Sequence, residues 1–422
     1  MIRFELVDYL HLVYKCYNVP PLSCVMYVDG ERKVVDTVIP SMTSKDIWRF
    51  SSNGKHRVGV FLEGGAPVRK TYFSAVANYK AWYEAAKKGE PFNLQPVSSK
   101  TSGYKAGRSG LTETQKLGVN LTVDRLVKGK VSAYQVAGYE ADDLIWVMYK
   151  QIRTAYPDAY IDIFTGDMDM LPLVDDKTTV YMRGNRTWAE PMCGLGYCQN
   201  CKTSCTDYID DTCKIRREYK NYYQVTPDNW DEFISYRSAF KGFKIPYNSV
   251  YLFKMLRGDT SDNVPMVEKG WGAKKWNEVI ERMISDGVDF ANTFRYDTPW
   301  QTMYNVLINY FPTETVAFMG LNAEGIRPRG CVGELINLMP YPNDTAMFDI
   351  NACYTALTTG QTYTPASDGE RQKAMAVFDC IKAGINPVVS LRLADPAQPD
   401  LGMFQTSLNE FKINLPTKNL PY

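Results

Sequence analysis

Gly138-Tyr139-Glu140-Ala141-Asp142-Asp143 and Thr165-Gly166-Asp167-Met168-Asp169 decide how this chain reads. Together the two segments hold five carboxylates, and they flank structure instead of filling an acidic run. After Gly138 the apolar residues Leu144, Ile145, Met148 and Ile152 recur at the spacing of an amphipathic helix. Glu140, Asp142 and Asp143 then occupy its first turn, where the helix dipole favours negative charge. Tyr160–Phe164 reads as a short strand, and Asp167 and Asp169 follow its C-terminal end. That edge of a parallel α/β sheet is where such folds place ligands. Carboxylates crowded together repel, and divalent Mg2+ or Mn2+, which prefer oxygen ligands, remove the conflict. Taken singly, each segment also suits a plain helix N-terminus and a polar loop.

The flanking sequence repeats the arrangement. Phe4–Val7 is an apolar run ending in Asp8, with a helix expected over Tyr9–Lys15. Val58–Leu62 is another, ending in Glu63 and followed by Gly64-Gly65. Asp is common in turns, so one such coincidence means little. Three strand-like runs, each delivering a carboxylate past its end, point to one site at the carboxyl edge of one sheet.

Between Gly64 and Gly138 the chain is basic and aromatic: Arg69-Lys70-Thr71-Tyr72-Phe73, Tyr79-Lys80-Ala81-Trp82-Tyr83 and Tyr104-Lys105-Ala106-Gly107-Arg108. Such interleaving suits a single-strand channel; it equally suits a helical hairpin whose lysines snorkel. Cys193, Cys198, Cys201, Cys205 and Cys213 cluster, with the Cys198-x2-Cys201 spacing of a metal knuckle, so one structural Zn2+ is expected on four of the five. The other five cysteines are scattered, as in a reducing compartment. Gly258-Asp259-Thr260-Ser261-Asp262-Asn263-Val264-Pro265 adds two carboxylates. Lys269, Gly270, Gly272, Lys274 and Lys275 then open a helix through Trp276, Val279 and Ile280, where backbone N–H groups and lysines could meet phosphate. Helical patterns at Thr302–Tyr310 and Gly369–Ala383 carry no recognisable chemistry.

The length of 422 residues suggests two or three domains, and 45% hydrophobic content supports a real core. No apolar run approaches the ~20 residues of a membrane span, and no signal-peptide core follows Met1, so a cytoplasmic protein is expected. The net charge of +1 is unpromising for a nucleic-acid binder, yet removing the nine site carboxylates leaves +10. An acidic, cation-filled pit in a basic surround is consistent with both numbers.

These motifs resemble the 5′-nuclease superfamily: the 5′-to-3′ exonuclease domain of bacterial DNA polymerase I, phage 5′-exonucleases and RNase H-type enzymes, and flap endonucleases. Leu6–Lys15 resembles its first strand, aspartate and helix. GYEADD (138–143) and TGDMD (165–169) match its most specific motifs, and GDTSDNVP (258–265) with GWGAKK (270–275) its last metal aspartates and helix–three-turn–helix hairpin. YKAGR (104–108) is similar to the lysine–arginine segment of the family's helical gateway, and Tyr79-Lys80 competes for that place because the span from Glu63 is long. Glu63 stands where the family has aspartate.

The resemblance covers residues 1–290 and implies an α/β, PIN-like Rossmannoid parallel sheet with helices on both faces. It implies a catalytic core over 1–187, with a gateway at 64–138, and a helix–three-turn–helix subdomain over 221–295. The Cys-rich insertion at 188–220 and a mainly helical region at 296–422 fall outside the family pattern. The implied activity is two-metal-ion hydrolysis of DNA bearing a 5′ end or flap, in a stand-alone, phage-encoded enzyme of replication or repair. Asp8, Glu63, Glu140, Asp142 and Asp143 would hold the first Mg2+ or Mn2+, and Asp167, Asp169, Asp259 and Asp262 the second. Lys105, Arg108 and Arg69 would stabilise charge on the phosphate. One alternative, removal of RNA from RNA/DNA hybrids such as primers, shares these carboxylates; the other, a non-catalytic nucleic-acid scaffold using the zinc knuckle and hairpin, is disfavoured by their full retention.

Overall fold

The computed structural model describes residues 2–16, 23–28, 30–36, 38–40, 43, 47, 56–64, 67–90, 104–105, 110–128, 131–135, 139–183 and 222–328. They fall into two compact units, one drawn from 1–64 and 109–236, the other from 65–108 and 237–328.

The first unit is α/β, built on a mostly parallel six-stranded sheet, the class read from the sequence. Its strands are β1 (Arg3–Asp8), β4 (His56–Phe61), β5 (Ser132–Tyr134), β6 (Tyr160–Thr165), β7 (Thr178–Arg183) and β8 (Tyr222–Val225). They lie in the order β5-β4-β1-β6-β7-β8. All neighbours are parallel except β7 and β8. β1 is flanked on both sides, which is why Phe4, Leu6 and Val7 form an almost unbroken apolar run and are wholly buried. Each such side chain contributes roughly 1.5–3 kcal/mol on burial. Register fixes the edge: Asp8 lies opposite Phe61, and Val7 opposite Phe164.

The helix Ala141–Ala155 buries Leu144, Ile145, Met148 and Ile152, as its periodicity requires, together with Trp146 and Tyr149. It ends at Tyr156 because Pro157 cannot continue it. The sequence reading missed a separate two-stranded ribbon of β2 (Ser23–Val28) and β3 (Glu31–Asp36). Its signal was Asp29-Gly30 between two β-prone runs, with Gly30 at φ +80° making the turn. β3 packs on the helix Glu113–Lys128 and buries Val35, leaving Val25, Tyr27 and Val34 exposed.

The second unit is helical. The helix Pro67–Lys88 buries Tyr72, Phe73, Tyr79, Trp82 and Tyr83. The aromatic half of the 69–83 stretch is therefore core, not a stacking platform for bases, because those rings fall on the inward face of one continuous helix. The helix Thr313–Ile326 is buried on every side, and it packs on Pro67–Lys88 and on Val250–Arg257. Its place is fixed by polar contacts: Tyr72 O–H donates to the Leu321 carbonyl at 2.9 Å and Tyr251 O–H to that of Ala323 at 2.9 Å. Asn322 Nδ2 donates to the carbonyls of Met255 and Pro265. At Gly325 a Cβ would lie 2.3 Å from the Phe73 ring, so a larger residue would force that buried ring to move. This helix belongs to the stretch after residue 295 in which the sequence showed no chemistry, and its all-round burial makes it structural. The Cys-rich segment 188–220 and the helical pattern at Gly369–Ala383 lie outside the described residues.

Candidate metal centre

The carboxyl ends of β4, β1 and β6 lie side by side, and each delivers an acid there. Asp8 ends β1, Glu63 stands two residues beyond β4, and Asp167 two residues beyond β6. The Gly64 N–H donates to the Tyr139 carbonyl at 2.9 Å, which brings Glu63 beside the start of the Ala141–Ala155 helix. The Glu63 carbonyl accepts from Gln135 Nε2 at 2.7 Å. At that helix start Glu140 is the N-cap, and its own N–H donates to Asp143 Oδ2 at 3.0 Å. Glu140 and Asp143 are buried.

One oxygen from each of Glu140, Asp142 and Asp143 falls within 4.8 Å of the others. Three acids this close, offering only oxygen, suit a hard divalent cation with several oxygen ligands. The electrostatics of Asp8 agree. Burial pushes its pKa up to about 6, and the charge of Asp167 adds to the rise, while hydrogen bonds from Thr165 and from the Leu10 and His11 backbone oppose it. A bound cation would favour the ionised form that burial disfavours.

Two residues given no role by the sequence reading hold Asp8. Thr165 Oγ1 donates to Asp8 Oδ2 at 3.0 Å and accepts from the Asp167 N–H at 3.0 Å. His11 Nδ1 bonds the Asp8 carbonyl and its Nε2 lies 2.6 Å from the Tyr222 hydroxyl. The first bond makes Nδ1 the protonated nitrogen, so Tyr222 donates to Nε2. Neither role was legible, since His11 has no motif around it and its partner Tyr222 is far along the chain. Asp167 Oδ1 accepts from the Asp169 N–H at 2.9 Å, which starts the short 3-10 turn Met168–Leu173 with Asp169 buried.

Asp259 and Asp262 belong to the second unit, where both are engaged. Asp259 Oδ2 lies 2.6 Å from Lys254 Nζ, and both side chains are nearly buried. Burial by itself would raise the Asp259 pKa, but the Lys254 ammonium and the Ser261 hydrogen bonds outweigh it and hold it at about 2. The loop is tied by an Asp259–Val264 backbone pair. Gly258, at φ +68°, is obligatory there, because a Cβ would lie 2.2 Å from the Val264 oxygen.

Asp262 accepts from Tyr104 O–H at 3.0 Å and lies 3.8 Å from Lys105 Nζ. Arg69 Nη1 donates to the same Tyr104 hydroxyl at 3.2 Å. Arg69 is 2% exposed, so its guanidinium supports Tyr104 from inside instead of facing a phosphate. Lys80, the rival gateway lysine, lies over the Phe318 ring at 5.4 Å, and burial lowers its pKa to about 8. Lys269, Gly270, Gly272, Lys274 and Lys275 are exposed around the start of the helix Ala273–Ser285. Between them Trp271 is buried against Phe311, with Lys275 Nζ 3.8 Å above its ring. Arg108, Cys193, Cys198, Cys201, Cys205 and Cys213 lie outside the described residues.

Residues 97–194 match the family model described as the 5′-3′ exonuclease, N-terminal resolvase-like domain. The chain is similar to DNA polymerase I of Lactococcus lactis subsp. lactis, 34% identical over 77 residues, or 18% of this chain and 9% of that protein. It is also similar to DNA polymerase I of Chloroflexus aurantiacus, 30% identical over 229 residues, or 53% of this chain and 19% of that protein. Both alignments thus span less than a fifth of the polymerases' own length. The T5 D15 protein co-crystallised with metal ions aligns over 91% of this chain and 100% of its own, at 12% identity and a TM-score of 0.40. The segment matched by the family model contains Glu140, Asp142, Asp143, Asp167 and Asp169.

Proposed function

We propose that the protein hydrolyses DNA phosphodiester bonds near a 5′ end or flap with divalent metal ions, in the two-ion scheme. The observation that carries this reading is the group Glu140, Asp142 and Asp143, gathered within 4.8 Å at the edge to which β1, β4 and β6 also deliver Asp8, Glu63 and Asp167. Bound Mg2+ or Mn2+ would supply Lewis acidity and a more acidic water at this edge.

The chain's own residues do the rest. Glu140, Asp142, Asp143 and Asp8 form the anionic set for one ion, with Glu63 beside them, and Asp167 and Asp169 the start of a second. The helix-start hydrogen bonds fix the first group before substrate arrives, so no reorganisation is needed at the moment of reaction. In the second unit, Lys105 offers a partly exposed ammonium held beside Asp262. Lys269, Lys274 and Lys275 offer cations for duplex phosphates, contacts that position the nucleic acid without reading its sequence. Binding should therefore weaken steeply with salt.

The test is cleavage of a 5′-end-labelled flap duplex in Mg2+ by the full chain and by Asp167→Ala. Cleavage near the single-strand/double-strand junction is expected, with a loss of at least about 100-fold in the variant while DNA binding persists. Product length separates flap cutting from end trimming, and an RNA/DNA hybrid run in parallel tests primer removal. Intact binding with no cleavage of DNA, RNA or hybrid in Mg2+ or Mn2+ would reject the nuclease reading in favour of a scaffold.

A further inference from the structure

We infer that Thr165 is a positioning residue whose hydroxyl sets Asp8 and Asp167 for a divalent cation, an inference that rests on the metal-dependent reading above. Thr165 closes β6 and is 1% exposed. A hydroxyl has a single proton to donate. Here the Asp167 N–H, 3.0 Å away, points into the oxygen, so the proton is directed to Asp8 Oδ2 at 3.0 Å. The other Asp8 oxygen accepts from the Leu10 N–H at 3.0 Å. Each Asp8 oxygen thus takes a donor from a different element, and the carboxylate plane is fixed with lone pairs still available on both oxygens.

The same hydroxyl receives the backbone of Asp167, whose own Oδ1 accepts from the Asp169 N–H at 2.9 Å. One side chain therefore joins the acid that ends β1 to the acid that follows β6. Threonine suits this place because its branched Cβ restricts the χ1 rotation that would move the hydroxyl. Hydrogen-bond partners one step out from a metal's ligands commonly change its affinity by 10- to 100-fold.

Valine has nearly the same shape and lacks the hydroxyl, whereas serine keeps the hydroxyl and loses the methyl. Titrating Mn2+ into the metal-free full chain by calorimetry, for wild type, Thr165→Val and Thr165→Ser, separates the two contributions. Melting in EDTA reports whether each variant is folded. The expected result is Mn2+ binding at least about tenfold weaker in Thr165→Val and within about threefold of wild type in Thr165→Ser. If the valine variant fails to fold, Thr165→Ala against Thr165→Ser makes the same comparison at smaller size. Wild-type Mn2+ affinity in a folded, hydroxyl-free variant overturns the inference, and so does a serine variant as weak as valine. A wild-type chain that binds no Mn2+ refutes the metal reading itself, and is told apart from these by the control without any variant.

Discussion

Lys80 shows at the scale of one residue how charge was placed against solvent. Its helix turns the ammonium toward the Phe318 ring, and Nζ has no hydrogen-bond partner among the described residues. Desolvation is what lowers its pKa from 10.5 to about 8. The direction of the linkage follows. Below pH 8 the folded protein must hold a buried ammonium that the unfolded chain keeps in water, so the penalty is present in full. Between pH 8 and 10.5 the folded state releases its proton first, and the penalty fades. Lys80→Met should therefore raise stability at pH 7 by on the order of 2 kcal/mol, allowing for the lost ring contact. That gain should vanish by about pH 10.5. Urea unfolding of both proteins at pH 7 and pH 10 checks the prediction, and a methionine variant no more stable at pH 7 would contradict it. Arg69 carries the same lesson in milder form: a cation in a basic stretch can lie inside, here buried with Nη1 donating to Tyr104.

At the scale of elements, the parts with strong local periodicity were legible and the parts fixed by distant partners were not. β1, β4, β6 and the Ala141–Ala155 helix stand where the apolar patterns put them, because strands buried on both faces and a one-sided helix leave unambiguous traces. The Pro67–Lys88 helix was ambiguous because basic and aromatic residues alternate both on a stacking surface and on a helix with a ring-lined inner face. The Val250–Arg257 helix supplies a partner only five residues before Asp259, across the helix end, a spacing that matches neither a helix nor a strand period. Its Lys254 lies 2.6 Å from Asp259, in the loop where the sequence reading saw only metal-seeking carboxylates.

That pair makes a clear stability prediction. Lys254→Met leaves Asp259 nearly buried with only the Ser261 donors, and breaking such a pair from one side costs about 3–5 kcal/mol. The double variant Lys254→Met/Asp259→Asn removes the uncompensated charge and should recover at least half of the loss. Because Asp259 is held at about 2, the pair's contribution is complete above the ordinary carboxylate range and fades only as pH falls toward 2, so pH 7 is the place to measure it. A double variant as unstable as the single would show that packing, not charge, governs this corner.

For the whole molecule, the near-neutral total of +1 conceals opposite local excesses, and the acidic excess at the β1–β4–β6 edge has a consequence for stability. Asp142 shares the first turn of its helix with Asp143, close to Glu140, and each charge raises the energy of the others when no cation is present. Sites arranged for function are commonly strained in this way, and neutralising one member stabilises the fold while removing the activity. Asparagine at 142 keeps the Oδ1 acceptor for the Asp143 N–H, now 2.9 Å away, so the helix start survives the change. Asp142→Asn should then melt a few degrees higher than wild type in EDTA. Mg2+ should reverse the order. A ligand that binds only the folded state adds RT ln(1 + [L]/Kd), about 2.7 kcal/mol at a hundred times Kd, to the wild type and little to the variant. The two melting curves should therefore cross as Mg2+ is raised from zero to about 10 mM, a sign change that a purely structural aspartate cannot give. Parallel curves, with the variant lower at every Mg2+ concentration, would mean that Asp142 serves the helix start alone.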